Sequence, residues 1–149
     1  MEIWKIVLIA VCAAVAFIVL LLLLFAVIVD KIAFGKRADK NPLLKYFTSK
    51  DFGLSCEPVS INDAKTTLHG YIYKKQVTSN KLIIFCHGMG PGHIAYTTEV
   101  NYFCSCGYTV IAVDYRGCNF SDGKNIRGMY SGVRGVKAAI DFARGNDKL

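Results

Sequence analysis

Leu82-Ile83-Ile84-Phe85-Cys86, running directly into His87-Gly88-Met89-Gly90-Pro91-Gly92-His93, is the stretch from which the fold can be read. A short unbroken apolar run predicts a strand buried on both faces, the kind found in sheets covered by helices. The glycines and Pro91 stop that strand at once. They leave backbone N–H groups bare at its C-terminal end, where open α/β sheets place their ligand chemistry.

Downstream, Ile94 to Cys106 sets Tyr96, Val100 and Phe103 on one helical face, and Gly107 supplies the stop. Tyr108 to Val113 is a second unbroken apolar strand, ending at Asp114, and a turn-rich loop follows from Tyr115 to Gly123. A helix is expected from Ser131, as N-cap, to Arg144, with Val133, Val136, Ile140 and Ala143 as its apolar stripe. Upstream, Pro58 to Ile61 reads as a strand, Asn62-Asp63 as a turn, and Lys65 to Lys74 as a half-buried strand. In that run Leu68, Gly70 and Ile72 alternate with Thr67, His69, Tyr71 and Tyr73. The fold class is therefore α/β: an antiparallel strand pair, then β-α-β-α with a parallel crossover. Because Leu82–Cys86 is apolar on both faces, it is expected to have strands on either side.

Of the 149 residues, Ile6 to Val29 carry no charge and consist almost wholly of Val, Leu, Ile, Ala and Phe. About 24 residues at about 1.5 Å each reach about 36 Å, against a bilayer core of about 30 Å. A signal peptide has a shorter apolar region and a small-residue cleavage site just beyond it. Here the nearest such site, Ala33-Phe34-Gly35, lies past Asp30 and Lys31, so an uncleaved single-pass anchor is expected. Lys31, Lys36, Arg37, Lys40 and Lys45 follow the span while only Lys5 precedes it, which predicts a cytoplasmic domain on a cell-membrane anchor. Six cysteines without regular spacing agree with a reducing compartment. The formal charge of +7 is concentrated in the flank from Lys31 to Lys50, where it suits an anionic leaflet. No basic–aromatic interleaving or zinc-finger spacing points to nucleic acid. The organisation read from this is an anchor over residues 1–30, a basic connector over 31–56 and an α/β domain over 57–149. Leu43, Leu44, Tyr46 and Phe47 suggest a short amphipathic helix in the connector.

Strand, glycine loop, helix, strand and Asp114 also outline a dinucleotide-binding unit, with Asp114 about 26 residues after Gly88. The glycine spacing is G-x-G-x-G rather than G-x-G-x-x-G, and Pro91 removes one N–H from the turn. That nucleotide-binding βαβ unit stands as one alternative.

A second reading rests on two motifs together. His87-Gly88-Met89-Gly90 after an apolar strand, and Val110 to Gly117 followed by Phe120-Ser121-Asp122-Gly123, resemble the third strand, fourth strand and D-x-R-G loop of the α/β-hydrolase superfamily. The resemblance runs from about Glu57 to Leu149, the front half of such a domain behind a membrane anchor. It implies a serine hydrolase acting on an ester or related acyl bond. Met89 would present its N–H to the oxyanion, Gly88 and Gly90 would shape the turn, and His87, Asp114 and Arg116 would support the loop. No cofactor or metal is implied, and the partners implied are the bilayer and a small acyl or ester substrate.

The same resemblance exposes what is missing. There is no G-x-S-x-G elbow: Ser121 sits in a loop, Ser131 begins a helix and Ser105 lies inside one. His69, His87 and His93 all precede the place where the nucleophile should come. Cys86 and His87 are strand neighbours and point apart, Cys104 and Cys106 diverge on a helix, and most of the thiols are expected to be small buried hydrophobes. The 149 residues are therefore expected to be catalytically incomplete: a fragment, an interrupted reading frame, or a non-catalytic membrane-bound binding module.

Overall fold

The computed structural model describes residues 2–38, 40–64, 66–75, 80–88 and 90–146. Helix α1 (Ile3–Phe34) is a single rod of 32 residues with none buried, long and apolar enough to cross a membrane. Its last turn carries it past Asp30 to Phe34. The amphipathic helix expected around Leu43–Phe47 does not form. Asn41 initiates a turn instead, its Oδ1 accepting from Leu43 N–H (3.0 Å) and its carbonyl from Leu44 N–H (3.1 Å). An Asn-Pro pair favours turn initiation at that point. A short 3-10 turn (Ser49–Phe52), boxed by Thr48 and Asp51, leads into the sheet.

The sheet contains β1 (Ser55–Asp63), β2 (Thr66–Lys74), β3 (Leu82–Cys86) and β4 (Thr109–Val113), in the order β1-β2-β4-β3. β1 and β2 form an antiparallel hairpin in which Asp63 pairs with Thr66. The strand thus continues through Asn62 and Asp63, and the turn begins at Ala64, whose φ is 43°. β4 pairs antiparallel with β2 and parallel with β3, and α2 (Thr97–Ser105) makes the crossover. Among the described residues β3 has a neighbour on one side only, not the two its apolar faces suggested, and Leu82 to Phe85 remain half-buried.

Each face of the sheet builds its own core. On one, Val110 and Ala112 of β4 and Tyr73 of β2 meet Val100 and Cys104 of α2, with Leu54 closing the edge. On the other, Leu68, Ile72, Ile111 and Val113 meet α3 (Gly128–Arg144) through Ala139, with Ala138, Phe142 and Ala143 alongside. α3 departs from expectation twice. It starts at Gly128, before Ser131, because Arg127 and Gly128 take the left-handed conformation (φ 54° and 70°) and open the helix early. Ser131 is therefore not the cap, and its Oγ donates to the carbonyls of Ile126 and Gly128 within the first turn.

The second departure concerns the stripe. Ser131, Gly135 and Ala139 face the sheet, while Val133 is 67% exposed. Small residues win this face because the helix lies close: a Cβ on Gly135 would stand 2.8 Å from Tyr115 Cδ1. Gly135→Val should therefore cost about 1–3 kcal/mol by overpacking, whereas Val133→Ser should stay within about 0.5 kcal/mol. Denaturant unfolding of the detergent-solubilised chain checks both, and the reverse ranking would restore the Val133 stripe.

Candidate active site

The loop after β3 is held from below by His87, which is buried. Tyr115 N–H donates to His87 Nε2 (3.0 Å), so that nitrogen must be an acceptor and the ring proton sits on Nδ1. Nδ1–H then donates to the Gly88 carbonyl at 2.7 Å, and the imidazole packs on the Tyr115 ring with centroids 4.3 Å apart. Both nitrogens are occupied, which leaves His87 no lone pair for general-base work. Burial lowers its pKa below the usual histidine value, more than the Gly88 bond and the nearby Asp114 raise it.

Asp114, 1% exposed at the end of β4, ties this loop to the next. Its Oδ1 accepts from the His93 backbone N–H (2.7 Å) and from His93 Nδ1–H (2.8 Å), and its Oδ2 from Asn119 Nδ2–H (2.7 Å). With its Nδ1 proton directed at the carboxylate, His93 offers its Nε2 lone pair to the Tyr73 phenol at 2.9 Å. Burial raises the pKa of that phenol, so it remains a proton donor. Gly92 is the point of closest approach: its φ is 95°, and a Cβ there would meet Asp114 Oδ1 at 2.2 Å. A carboxylate so engaged is not available to a ribose, which removes the acid on which the dinucleotide outline depended.

Gly90 also has positive φ (154°) with open space beside it, while a Cβ on Gly88 would stand 3.0 Å from the Tyr96 hydroxyl. Met89 lies outside the described residues. Arg116 packs across Gly123, and its Nε is buried without a hydrogen-bond partner among the described residues. The hydrogen-bonding clamp is Arg37, whose guanidinium donates to the carbonyls of Asn119, Ser121 and Gly123. Beside it Ala38 N–H donates to the Gly117 carbonyl (3.0 Å) and pairs with Cys118. The segment after α1 is thus part of the site's rim.

Solved structures share this fold. An esterase of Pyrococcus furiosus, Pf2001, superposes in three crystal forms. The TM-scores are 0.63, 0.62 and 0.59 at 21%, 21% and 22% identity, covering 76%, 74% and 75% of this chain and 44%, 44% and 42% of the esterase. The fold is that of the α/β-hydrolases. The chain spans less than half the length of the esterase it matches. No protein-family model matches the sequence, and no curated protein matches it.

Within the α/β-hydrolase frame, the serines named from sequence are engaged elsewhere. Ser121 is buried, donating to the Asp114 carbonyl (2.6 Å) and accepting from His69 N–H (2.8 Å). Ser105 donates to the Asn101 carbonyl. Ser60 Oγ stands 3.1 Å from His69 Nδ1, a cross-strand pair on the exposed side of the hairpin rather than on the loop after β3. Of the six thiols only Cys104 and Cys118 are buried, fewer than expected; Cys12, Cys56, Cys86 and Cys106 are exposed. Burial pushes Cys118 up to about 11, which keeps it a neutral thiol. Among the described residues no cluster of His, Cys, Asp or Glu is disposed to hold a metal.

An apolar cavity of about 330 Å³ opens beside His87 and Gly88. A larger one, about 670 Å³, lies beside β1, among the Arg134–Asp63 and Lys137–Asp141 ion pairs, and shares no residue with the glycine loop. The smaller cavity is the one placed for chemistry at the loop.

His87 gives the site a pH signature. Its folded pKa is depressed, so the stability it contributes is whole above the unfolded value near 6.5 and is lost as the pH falls through it, where the unfolded chain takes the proton first. Unfolding midpoints of the chain should drop between pH 7.5 and 5.5, and His87→Gln should flatten that drop. An unchanged pH dependence in the variant would show that another group carries it.

Proposed function

We propose that this chain contributes the anchor and the oxyanion-loop half of a membrane-bound hydrolase of ester or related acyl bonds. The observation that carries this reading is the buried join of two loops at the carboxyl ends of β3 and β4: Asp114 to His93 across Gly92, and His87 to Tyr115. That join holds Gly88 and His93, on either side of the glycine loop, at the carboxyl ends of β3 and β4. Preorganised N–H groups stabilise the negative charge of a tetrahedral intermediate, and removing one donor typically costs about 2.7–4 kcal/mol of transition-state energy. By the resemblance, the Met89 N–H is that donor, with Gly88 and Gly90 shaping the turn and His87, Asp114 and, by packing, Arg116 supporting it. The similarity to the Pyrococcus esterase supports the reaction class.

In this reading α1 is an anchor, and the cations that follow it hold the domain on the cytoplasmic face. The nucleophile, acid and base of the reaction are not among these 149 residues, so the chain alone does not turn over.

Two measurements test this. A fluorophosphonate probe should leave the purified chain unlabelled, Ser60 included, and stoichiometric labelling of any serine would overturn the inactivity. Titration with an alkylphosphonate, a tetrahedral anion mimic, should shift the backbone amide resonances of Met89 and Gly90, and Met89→Pro, which deletes the N–H, should abolish the response. Amides that stay still in the parent chain would defeat the oxyanion assignment.

A further inference from the structure

The cavity beside His87 joins three parts of the molecule that sequence separates widely. Phe34, the last residue of α1, lines it together with Met129, Gly132, Val133 and Val136 of α3, and with His87 and Gly88 of the glycine loop. Met129 and Tyr130 are 81% and 74% exposed, and with Val133 they make an apolar patch at the start of α3, next to the end of the anchor. This proximity is fixed rather than incidental. Arg37 and Ala38 bind the loop carbonyls between Gly117 and Gly123, so the end of α1 is tied to the site's own rim. Lys31, Lys36 and Lys40 stand in the same short segment, at the level where cations meet anionic headgroups. The volume is at the lower end of the range for small-molecule sites, about 300–1,000 Å³.

We propose that this cavity takes the acyl chain of a membrane lipid, entering laterally from the bilayer between Phe34 and Met129, with its ester carbonyl at Gly88. The inference rests on the acyl-hydrolase reading and narrows it to long-chain lipid esters. An apolar wall with one polar end fits an amphipathic ligand, tail outward and carbonyl inward. The exposed patch on α3 then sits in the membrane interface, where its burial costs no water contact worth keeping. A charged, water-borne substrate finds no partner along Met129, Val133 and Val136.

The test uses the full chain in phosphatidylglycerol vesicles doped with one of two phospholipids, carrying a diazirine at the chain terminus or beside the ester carbonyl. Photolysis with the terminal probe should label α3 between Met129 and Val136. Gly132→Leu should lower that labelling about tenfold, equivalent to about 1.4 kcal/mol of binding, while labelling of α1 stays constant. The space allows the change, since a Cβ on Gly132 approaches Tyr115 only to 3.9 Å. Met129→Ser, at the exposed mouth, provides a second variant with the same expected direction. Label confined to α1, or α3 label indifferent to both variants, overturns the proposal. The carbonyl-end probe should mark the peptide containing His87 and Gly88. If it leaves that peptide unmarked while the terminal probe still labels α3 in a Gly132-dependent way, the lipid site stands and the oxyanion reading falls.

Discussion

One buried carboxylate organises this domain. Asp114 leaves β4 almost wholly buried, and a charge in that position is tolerable only if its lone pairs are filled by well-placed donors. His93 supplies two donors and Asn119 a third. The donors come from the loops after β3 and after β4, so satisfying the charge forces those loops together. Gly92 is the geometric condition for that meeting, because any side chain there would occupy the place of the carboxylate oxygen. His87 repeats the arrangement on the other flank, with Tyr115 as donor and Gly88 as acceptor. The loop's shape is thus set by polar satisfaction beneath it, and the bare backbone above it follows as a result.

The packing of α3 has a matching logic. Gly135 and Ala139 let the helix lie close on Leu68 and Ile111, where larger residues would hold it away. The bulk of the helix is displaced to its other side, and Val133, Val136 and Met129 look toward α1 and the loop. A face that is too apolar for solvent and too far from the sheet for the core becomes the wall of a cavity. The Arg134–Asp63 pair then fixes the helix's rotation, the guanidinium reaching both the carboxylate (2.7 Å) and the carbonyl (3.0 Å) of Asp63.

How much of this could be read beforehand depended on sequence distance. β3 and β4 were legible because each is a short unbroken apolar run, although only β4 is fully buried, and the loop because glycines follow at once. The α/β-hydrolase fold was legible for the same reason, since two local motifs at a fixed separation carry it. The stripe of α3 misled because periodicity registers large apolar residues, and here they line a cavity while glycine and alanine meet the sheet. His93 passed as one more loop residue; its partners lie 21 positions ahead and 20 behind, and no local pattern announces them. Arg37 read as a membrane-flanking cation, whereas its acceptors lie more than 80 positions downstream.

The Arg37 clamp makes the tether a structural member of the domain it carries. Three carbonyls of one surface loop depend on a guanidinium that belongs, by chain order, to the leash. A soluble version trimmed back to the start of β1 would lose that guanidinium, and with it the splint on the loop that follows β4. The placement of the long apolar helix is therefore inseparable from the shape of that loop. Whatever pulls on that helix pulls, through Arg37 and Ala38, on the loop that follows β4.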